Sequence, residues 1–244
     1  RALVALQDGR RLAAGVCINE QWRICGSVVV RDLSAVPPTR TTTITFGAGV
    51  MALAQLAGDH LAVGCGDSNI HVVDARAGAA TGALMAGHTA SVTALVMLPD
   101  GSMLASGSAD CSMRLWDVNT KSCVATLAGH TDAVTALAVL ADGKLASGSQ
   151  DGPVRLWDTA SRTCVCEYEA YSIVALAALP GGGLVGGTQT GCIEMWNAAG
   201  CKRYADMLFS HTRSVTALVV LPGNRLASAS EDGTVRLWQL PPSL

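Results

Sequence analysis

The chain has 244 residues, half of them hydrophobic, and a formal net charge of −2 at pH 7. It is long enough and apolar enough to bury a sizeable core. It has too little positive charge to draw in nucleic acid or an anionic membrane surface by its field. No apolar run reaches membrane-spanning length, because Gly, Asp or Ser interrupts each one. No signal-peptide pattern is present. A cytoplasmic protein is expected, with a nuclear location compatible.

The predicted elements are all strands, and they recur. In the first stretch, Ala2 to Leu6 is followed by the turn Asp8-Gly9, then by strands over Leu12 to Val16 and Ser27 to Asp32. Nine residues, Cys17 to Cys25, lie between Val16 and Gly26, where the third repeat has two between Ser108 and Cys111. The second stretch has strands over Val50 to Leu56, Leu61 to Cys65 and Asn69 to Asp74. The third is the clearest. Gly87-His88 leads into Ser91 to Leu98, the turn Pro99-Asp100-Gly101, Met103 to Ser108, a tight hairpin at Ala109-Asp110, Ser112 to Trp116, and an outer strand over Ser122 to Leu127. Gly129-His130 opens a fourth copy that ends on Arg155-Leu156-Trp157-Asp158. A worn fifth copy ends on Glu194-Met195-Trp196-Asn197. Ser210-His211 opens the sixth, which ends on Arg236-Leu237-Trp238-Gln239.

The frame position held by Trp116, Trp157, Trp196 and Trp238 is held by Arg31 and Val73 in the first two copies. The four tryptophans are 41, 39 and 42 residues apart. A repeat of about 40 residues with a Gly-His start and a Trp-Asp end marks a four-stranded propeller blade. Six copies predict an all-β propeller in one domain over residues 1–244, with blades near 1–46, 47–87, 88–129, 130–168, 169–210 and 211–244. The third strands should end near residues 32, 74, 117, 158, 197 and 239. The last copy stops at Gln239-Leu240-Pro241-Pro242, before a fourth strand, so the chain reads as a fragment of a longer protein or as an imperfectly closed ring.

These residues resemble the WD40-repeat family. The resemblance covers nearly the whole chain and is sharpest in the third, fourth and sixth copies. It implies a polar chain of four side chains in each blade. These are His88, Ser106, Asp110 and Trp116; His130, Ser147, Asp151 and Trp157; and His211, Ser228, Asp232 and Trp238. The chemistry stands without the name: a buried carboxylate needs donors, and a buried indole N–H needs an acceptor. In the fifth copy Glu169 falls near the His position, Gly186 replaces Ser and Thr190 replaces Asp. In the second, Asp67 remains but Phe46 falls at the His position. The first has no such set. Those three copies are expected to rely on apolar packing.

Ser, His and Asp recurring together also suit a hydrolase, but three equivalent sets are not one active site, and no Gly-x-Ser-x-Gly elbow or phosphate-cradling loop is present. No catalytic residue, cofactor or metal is expected. His71 lies where other copies have Arg114, Arg155 and Arg236, and reads as a surface residue. None of the nine cysteines has paired zinc spacing. They read as reduced thiols, with Cys17 and Cys25 the pair to inspect for a disulfide. The expected role is a non-catalytic scaffold for a protein or peptide partner, without nucleic acid or membrane. Alternatives are the substrate-recognition subunit of a ubiquitin ligase and a regulatory module of an enzyme domain elsewhere. Val73-Asp74-Ala75-Arg76 is similar to the Trp-Asp-x-Arg ending that docks ligase adaptors, but lacks the Trp. The expected partner surface comprises Glu20, Trp22 and Arg23 on the long hairpin, with Asp132, Gln150, Tyr171, Gln189, Arg213 and Glu231 on the loops of the later copies.

Overall fold

The structure is a computed structural model. It describes residues 2–20, 23–34, 41–197, 202–203, 208–209 and 211–240. Among them there is no helix, and so none long and apolar enough to cross a membrane. The chain divides into two compact units, residues 1–126 and 127–244.

The first unit holds three sheets of four antiparallel strands. The first sheet is β1 (Ala2–Ala5), β2 (Arg11–Glu20), β3 (Arg23–Asp32) and β4 (Thr41–Phe46). The second is β5 (Val50–Gln55), β6 (His60–Cys65), β7 (Ile70–Asp74) and β8 (Ala79–Met85). The third is β9 (Val92–Met97), β10 (Met103–Ser108), β11 (Met113–Asp117) and β12 (Cys123–Leu127). The second unit opens with a sheet of β13 (Val134–Val139), β14 (Leu145–Ser149), β15 (Val154–Asp158) and β16 (Thr163–Tyr168). In the fifth sheet, β17 (Ile173–Ala178), β18 (Gly183–Thr188) and β19 (Cys192–Asn197) are followed by an outer position split between β20 (Lys202–Arg203) and β21 (Leu208–Phe209), both paired with β19. The last sheet has three strands, β22 (Val215–Leu221), β23 (Arg225–Ser230) and β24 (Val235–Gln239).

All six third strands end where the repeat frame predicts, at Asp32, Asp74, Asp117, Asp158, Asn197 and Gln239. The reason is local. Asp117 accepts the amides of Asn119 and Thr120, each at 2.8 Å. Asp158 does the same for Ala160 and Ser161, and Asp74 for Arg76 and Ala77. The carboxylate engages the amides two and three residues on and so turns the chain. Asp74 thus performs the turn duty of its counterparts, and the Val73-Asp74-Ala75-Arg76 segment needs no adaptor to explain it.

Register puts a leucine opposite the frame position in every sheet: Leu12 and Arg31, Leu61 and Val73, Leu104 and Trp116, Leu145 and Trp157, Leu184 and Trp196, Leu226 and Trp238. Neighbouring sheets within a unit are locked by a second recurrence. A β-branched residue opening the inner strand sits against a glycine of the preceding sheet. Val50 meets Gly15 and Val92 meets Gly64 in the first unit; Ile173 meets Gly148 and Val215 meets Gly187 in the second. A Cβ on Gly148 would lie 2.4 Å from Ile173 Cγ2. Around these contacts the core forms between sheets, as where Leu156 and Tyr168 pack with Ile173, Leu184 and Trp196.

Candidate functional site

Three sheets contain the expected polar chains, with one connectivity. In the third, the Trp116 indole donates to Ser106 Oγ at 2.7 Å, Ser106 Oγ is 2.7 Å from His88 Nε2, and His88 Nδ1 is 2.8 Å from Asp110. The network is satisfied when the imidazole proton is on Nδ1 and the serine donates to Nε2. Asp110 also accepts the Thr89 amide and the Ser112 hydroxyl, tying the Gly-His loop to the hairpin. His130, Ser147, Asp151 and Trp157 repeat the arrangement, and Arg155 adds a 2.9 Å ion pair to Asp151. His211, Ser228, Asp232 and Trp238 repeat it again.

Burial works against the charge on Asp110 and Asp151, but their donors outweigh it. For Asp110 these are led by Ser112, Thr89 and His88; for Asp151, by the Thr131 amide and Arg155. Both carboxyls are held below their ordinary range. Burial pushes His88 and His130 down, and their aspartates only partly offset it. The imidazoles are therefore neutral pieces of the network.

Serine to histidine to aspartate is also the order of a hydrolytic triad. Here the serines are sealed: Ser106 and Ser147 are 0% exposed and Ser228 is 1%. Each hydroxyl oxygen is already taken by an indole N–H. No acyl group can reach it, so these sets hold loops rather than cut bonds.

The other sheets solve the problem differently. In the fifth, Gly186 leaves the space a serine would fill, and the Trp196 ring comes within 2.8 Å of where its Cβ would be. Tyr168, one residue before Glu169, lies at the Gly position of the Gly-His pair. Its ring stands 6.0 Å from Trp196, the same separation as His88 from Trp116. The Trp196 N–H has no hydrogen-bond partner among the described residues. Thr188 and Thr190 pair their hydroxyls at 2.9 Å, and Thr188 accepts the Cys192 amide. In the second sheet Asp67 keeps a histidine partner, but from another strand. His71 Nε2 lies 2.9 Å from Asp67, with Phe46 packed against the imidazole at 5.3 Å. His71 is thus a half-buried polar partner rather than a plain surface residue, and this sheet does not rest on apolar packing alone.

The expected partner residues converge in part. Gln150, Gln189, Arg213 and Glu231 line an open cavity of about 500 Å³ in the second unit, with Thr135, Ser172, Val174, Thr190, Thr212 and Ser214. Gln150, Gln189 and Glu231 hold one frame position. Each is fixed by its backbone amide on the carbonyl before the inner strand: Ala133, Ser172 and Ser214, all at 3.0 Å. The Gln189 side chain is further steadied by Ser172 at 3.1 Å. Asp132, Tyr171 and Arg213 hold a second frame position. Asp132 caps the Ala133 amide at 2.7 Å, and Tyr171 is 63% exposed; neither lines the cavity. In the second and third sheets the same two positions hold Ala48 and Gly66, and Ala90 and Ala109. The inner-strand and loop residues of the cavity were not found from sequence, because strand alternation gives the face of a sheet, not what a face opens onto.

On the long hairpin, β2 and β3 pair without interruption to Glu20 opposite Arg23. The side chains of Glu20 and Arg23, and Trp22 altogether, lie outside the described residues. Two cysteine expectations are corrected. Cys25 is a free thiol, so no bridge to Cys17 forms, and Cys166 is disulfide-bonded, so the cysteines are not all reduced.

Sheets of short antiparallel strands, repeated six times and pinned in three by a His, Ser, Asp and Trp network, define a propeller-type repeat protein. The chain carries WD40 repeats: the family model described as WD domain, G-beta repeat matches residues 81–117, 121–158 and 203–239. It is 53% identical over 47 residues to WD repeat-containing protein 18 of Rattus norvegicus, covering 19% of this chain and 11% of that protein. The Mus musculus protein of the same name is 35% identical over 97 residues, 35% of this chain and 22% of the relative. Striatin-4 of Homo sapiens is 43% identical over 58 residues, 24% of this chain and 8% of the relative. The chain therefore spans less than a quarter of each of these relatives. Among solved structures, a chain of the crystal structure of the mitotic checkpoint complex superposes with a TM-score of 0.84 at 22% identity, over 98% of this chain and 73% of its own length. That likeness shows the WD40-type β-propeller fold.

Proposed function

We propose that this chain is a non-catalytic interaction module that binds a protein or peptide segment in the cavity of its second unit. The observation that carries the reading is the contrast between two sets of equivalent positions. Where the second and third sheets have only alanine and glycine, the fourth to sixth have Asp132, Gln150, Tyr171, Gln189, Arg213 and Glu231, and four of these six face one cavity. The fold is equally built with small residues there, so the larger ones answer to something other than folding. Two carboxamides offer donors and acceptors to peptide groups, and Arg213 and Glu231 supply one charge of each sign. That WD repeat proteins recur among the relatives, and that the structural neighbour was solved within a complex, agrees with this role.

The hairpin of β2 and β3, with Glu20, Trp22 and Arg23 between its paired ends, is a partner surface of the first unit taken by itself. Its ladder is complete to the last pair, so the extra length is not needed to close the sheet. An aromatic and a guanidinium in one short segment have the chemistry of an interface anchor.

The test is affinity capture with quantitative mass spectrometry, comparing the native protein with the Gln150→Ala, Gln189→Ala, Arg213→Ala triple variant and with the Trp22→Ala, Arg23→Ala double variant. Loss of the captured set with an unchanged melt is expected for both. An unchanged set for the triple variant would sink the cavity reading. A lowered melt with unchanged capture for the double variant would assign the hairpin to its own sheet.

A further inference from the structure

The first unit contains a side-chain cluster that neither the polar networks nor the cavity uses. Cys65 ends β6, Asp67 lies in the following turn and His71 is on β7, so one hairpin carries all three. Their ligand atoms all lie within 4.8 Å of one another. The cluster arises from coordinated departures from the repeat. At the position of Cys65 the later sheets have Ser108, Ser149, Thr188 and Ser230. At the position of His71 three of them have Arg114, Arg155 and Arg236. The aspartate alone is shared with Asp110, Asp151 and Asp232. Two of three frame positions have thus changed to metal-ligating types, around a carboxylate already present.

We propose that Cys65, Asp67 and His71 form a zinc site with a fourth position open to water. Thiolate, imidazole and carboxylate together match the borderline character of zinc, whereas calcium and magnesium require oxygen donors. The three are oriented before any ion arrives. The Asn69 amide holds Asp67 Oδ1 at 3.1 Å, which leaves Oδ2 turned to His71 Nε2. Phe46 packs on the imidazole and fixes its plane. Cys65 is a buried thiol and forms the floor, while Asp67 is exposed and forms the entrance.

Binding proceeds with a defined balance. The Cys65 S–H bond breaks, its proton goes to solvent, and the sulfur pair forms the bond to zinc. The neutral imidazole, whose Nε2–H donates to Asp67 before the ion arrives, gives that proton to solvent and takes one up on Nδ1, so that Nε2 has its pair for the metal, and the Asp67 to His71 hydrogen bond is replaced by two coordinate bonds. The thiolate and the carboxylate neutralise the ion, and one proton is released per zinc from a thiol that starts protonated.

The experiment uses the whole protein, freed of metal, with zinc affinity measured by chelator competition and cobalt(II) as the optical probe. Cys65→Ser and His71→Arg each restore the residue of the sister sheets and so suit the fold; their melts without metal check this. The expected result is one tight equivalent with proton release, a thiolate-to-cobalt charge-transfer band, and a melting temperature that rises with free zinc. Both variants lose the equivalent, and Cys65→Ser loses the band. The proposal is overturned if the native protein binds no more zinc than the double variant, or if the band survives in Cys65→Ser, which would place the sulfur elsewhere.

Discussion

Ser106, Ser147 and Ser228 each accept an indole proton and face an imidazole, and this double engagement makes the aspartate at the far end costly to remove. Asp151→Ala strips the Thr131 amide, His130 and Arg155 of their acceptor in a site where the carboxylate is 5% exposed. A loss of about 1–3 kcal/mol is expected. Thr190→Ala removes one exposed hydroxyl from a pair, and the expected loss is under about 1 kcal/mol. Denaturant melts of both variants decide the order; equal losses would refute it. A pH titration of stability tests the same networks. His88 and His130 lie below their ordinary value of 6.5, and the aspartates below 3.8. In both cases the unfolded chain takes up protons that the folded chain refuses, so stability rises with pH across these ranges. It should be full above about pH 6.5, decline as the unfolded histidines protonate, and decline again as pH falls through 3.8 toward the depressed carboxyl values. Flat stability between pH 7 and 5 would mean that His88 and His130 titrate alike in the folded and the unfolded chain. The three networks were legible in the sequence because the same four residue types return at fixed spacing. Tyr168 was not, because it precedes the expected position by one residue and acts by packing. The pairing of Asp67 with His71 was hidden because its histidine comes from a different strand.

At the level of elements, the ends of the six third strands were legible from the repeat frame, whereas β2 and β3 run on to Glu20 and Arg23, past the expected Val16 and Ser27. The glycine contacts between sheets were not legible. A glycine inside a strand looks like a weakness until the neighbouring inner strand is in place. Gly148→Ala tests the point, because Ile173 is branched at Cβ and cannot swing clear of a new methyl 2.4 Å away. An overpacking loss of about 1–3 kcal/mol is expected. Gly47→Ala is the control: nothing lies within 4 Å of its added Cβ and its φ is not positive. Equal melts for the two variants would contradict the knob-and-gap account. The split outer position of the fifth sheet was also illegible, because the sequence from Cys201 to Phe209 has no clear alternation. The last sheet ends with β24 at its margin, where Val235 and Leu237 are 71% and 66% exposed. Those side chains are an aggregation liability wherever that margin stays uncovered.

For the molecule as a whole, the repeat declared the class and even the number of sheets, while the distribution of function over the sheets had to be seen. From sequence the variable residues were a scatter of loop positions. In the structure, four of them share a cavity, while their counterparts in the second and third sheets are alanine and glycine. Repeat architecture carries a further consequence for stability. Each sheet within a unit contacts its sequence neighbours, so unfolding is expected to proceed by groups of sheets, and a single two-state fit should fail. Calorimetric and van't Hoff enthalpies that agree would contradict this.

The four frame tryptophans turn that expectation into something visible. Trp116, Trp157, Trp196 and Trp238 sit in four different sheets, so the protein carries an optical label in each. Three of the indoles give their proton to a serine. Trp196 lies fully buried among aliphatic and aromatic side chains, without a serine to receive its proton. Its N–H has no hydrogen-bond partner among the described residues, and its emission should sit to the blue of the others. A denaturant series that follows the blue edge and the red edge of the spectrum separately therefore times the fifth sheet against its neighbours, with no label added and no residue changed.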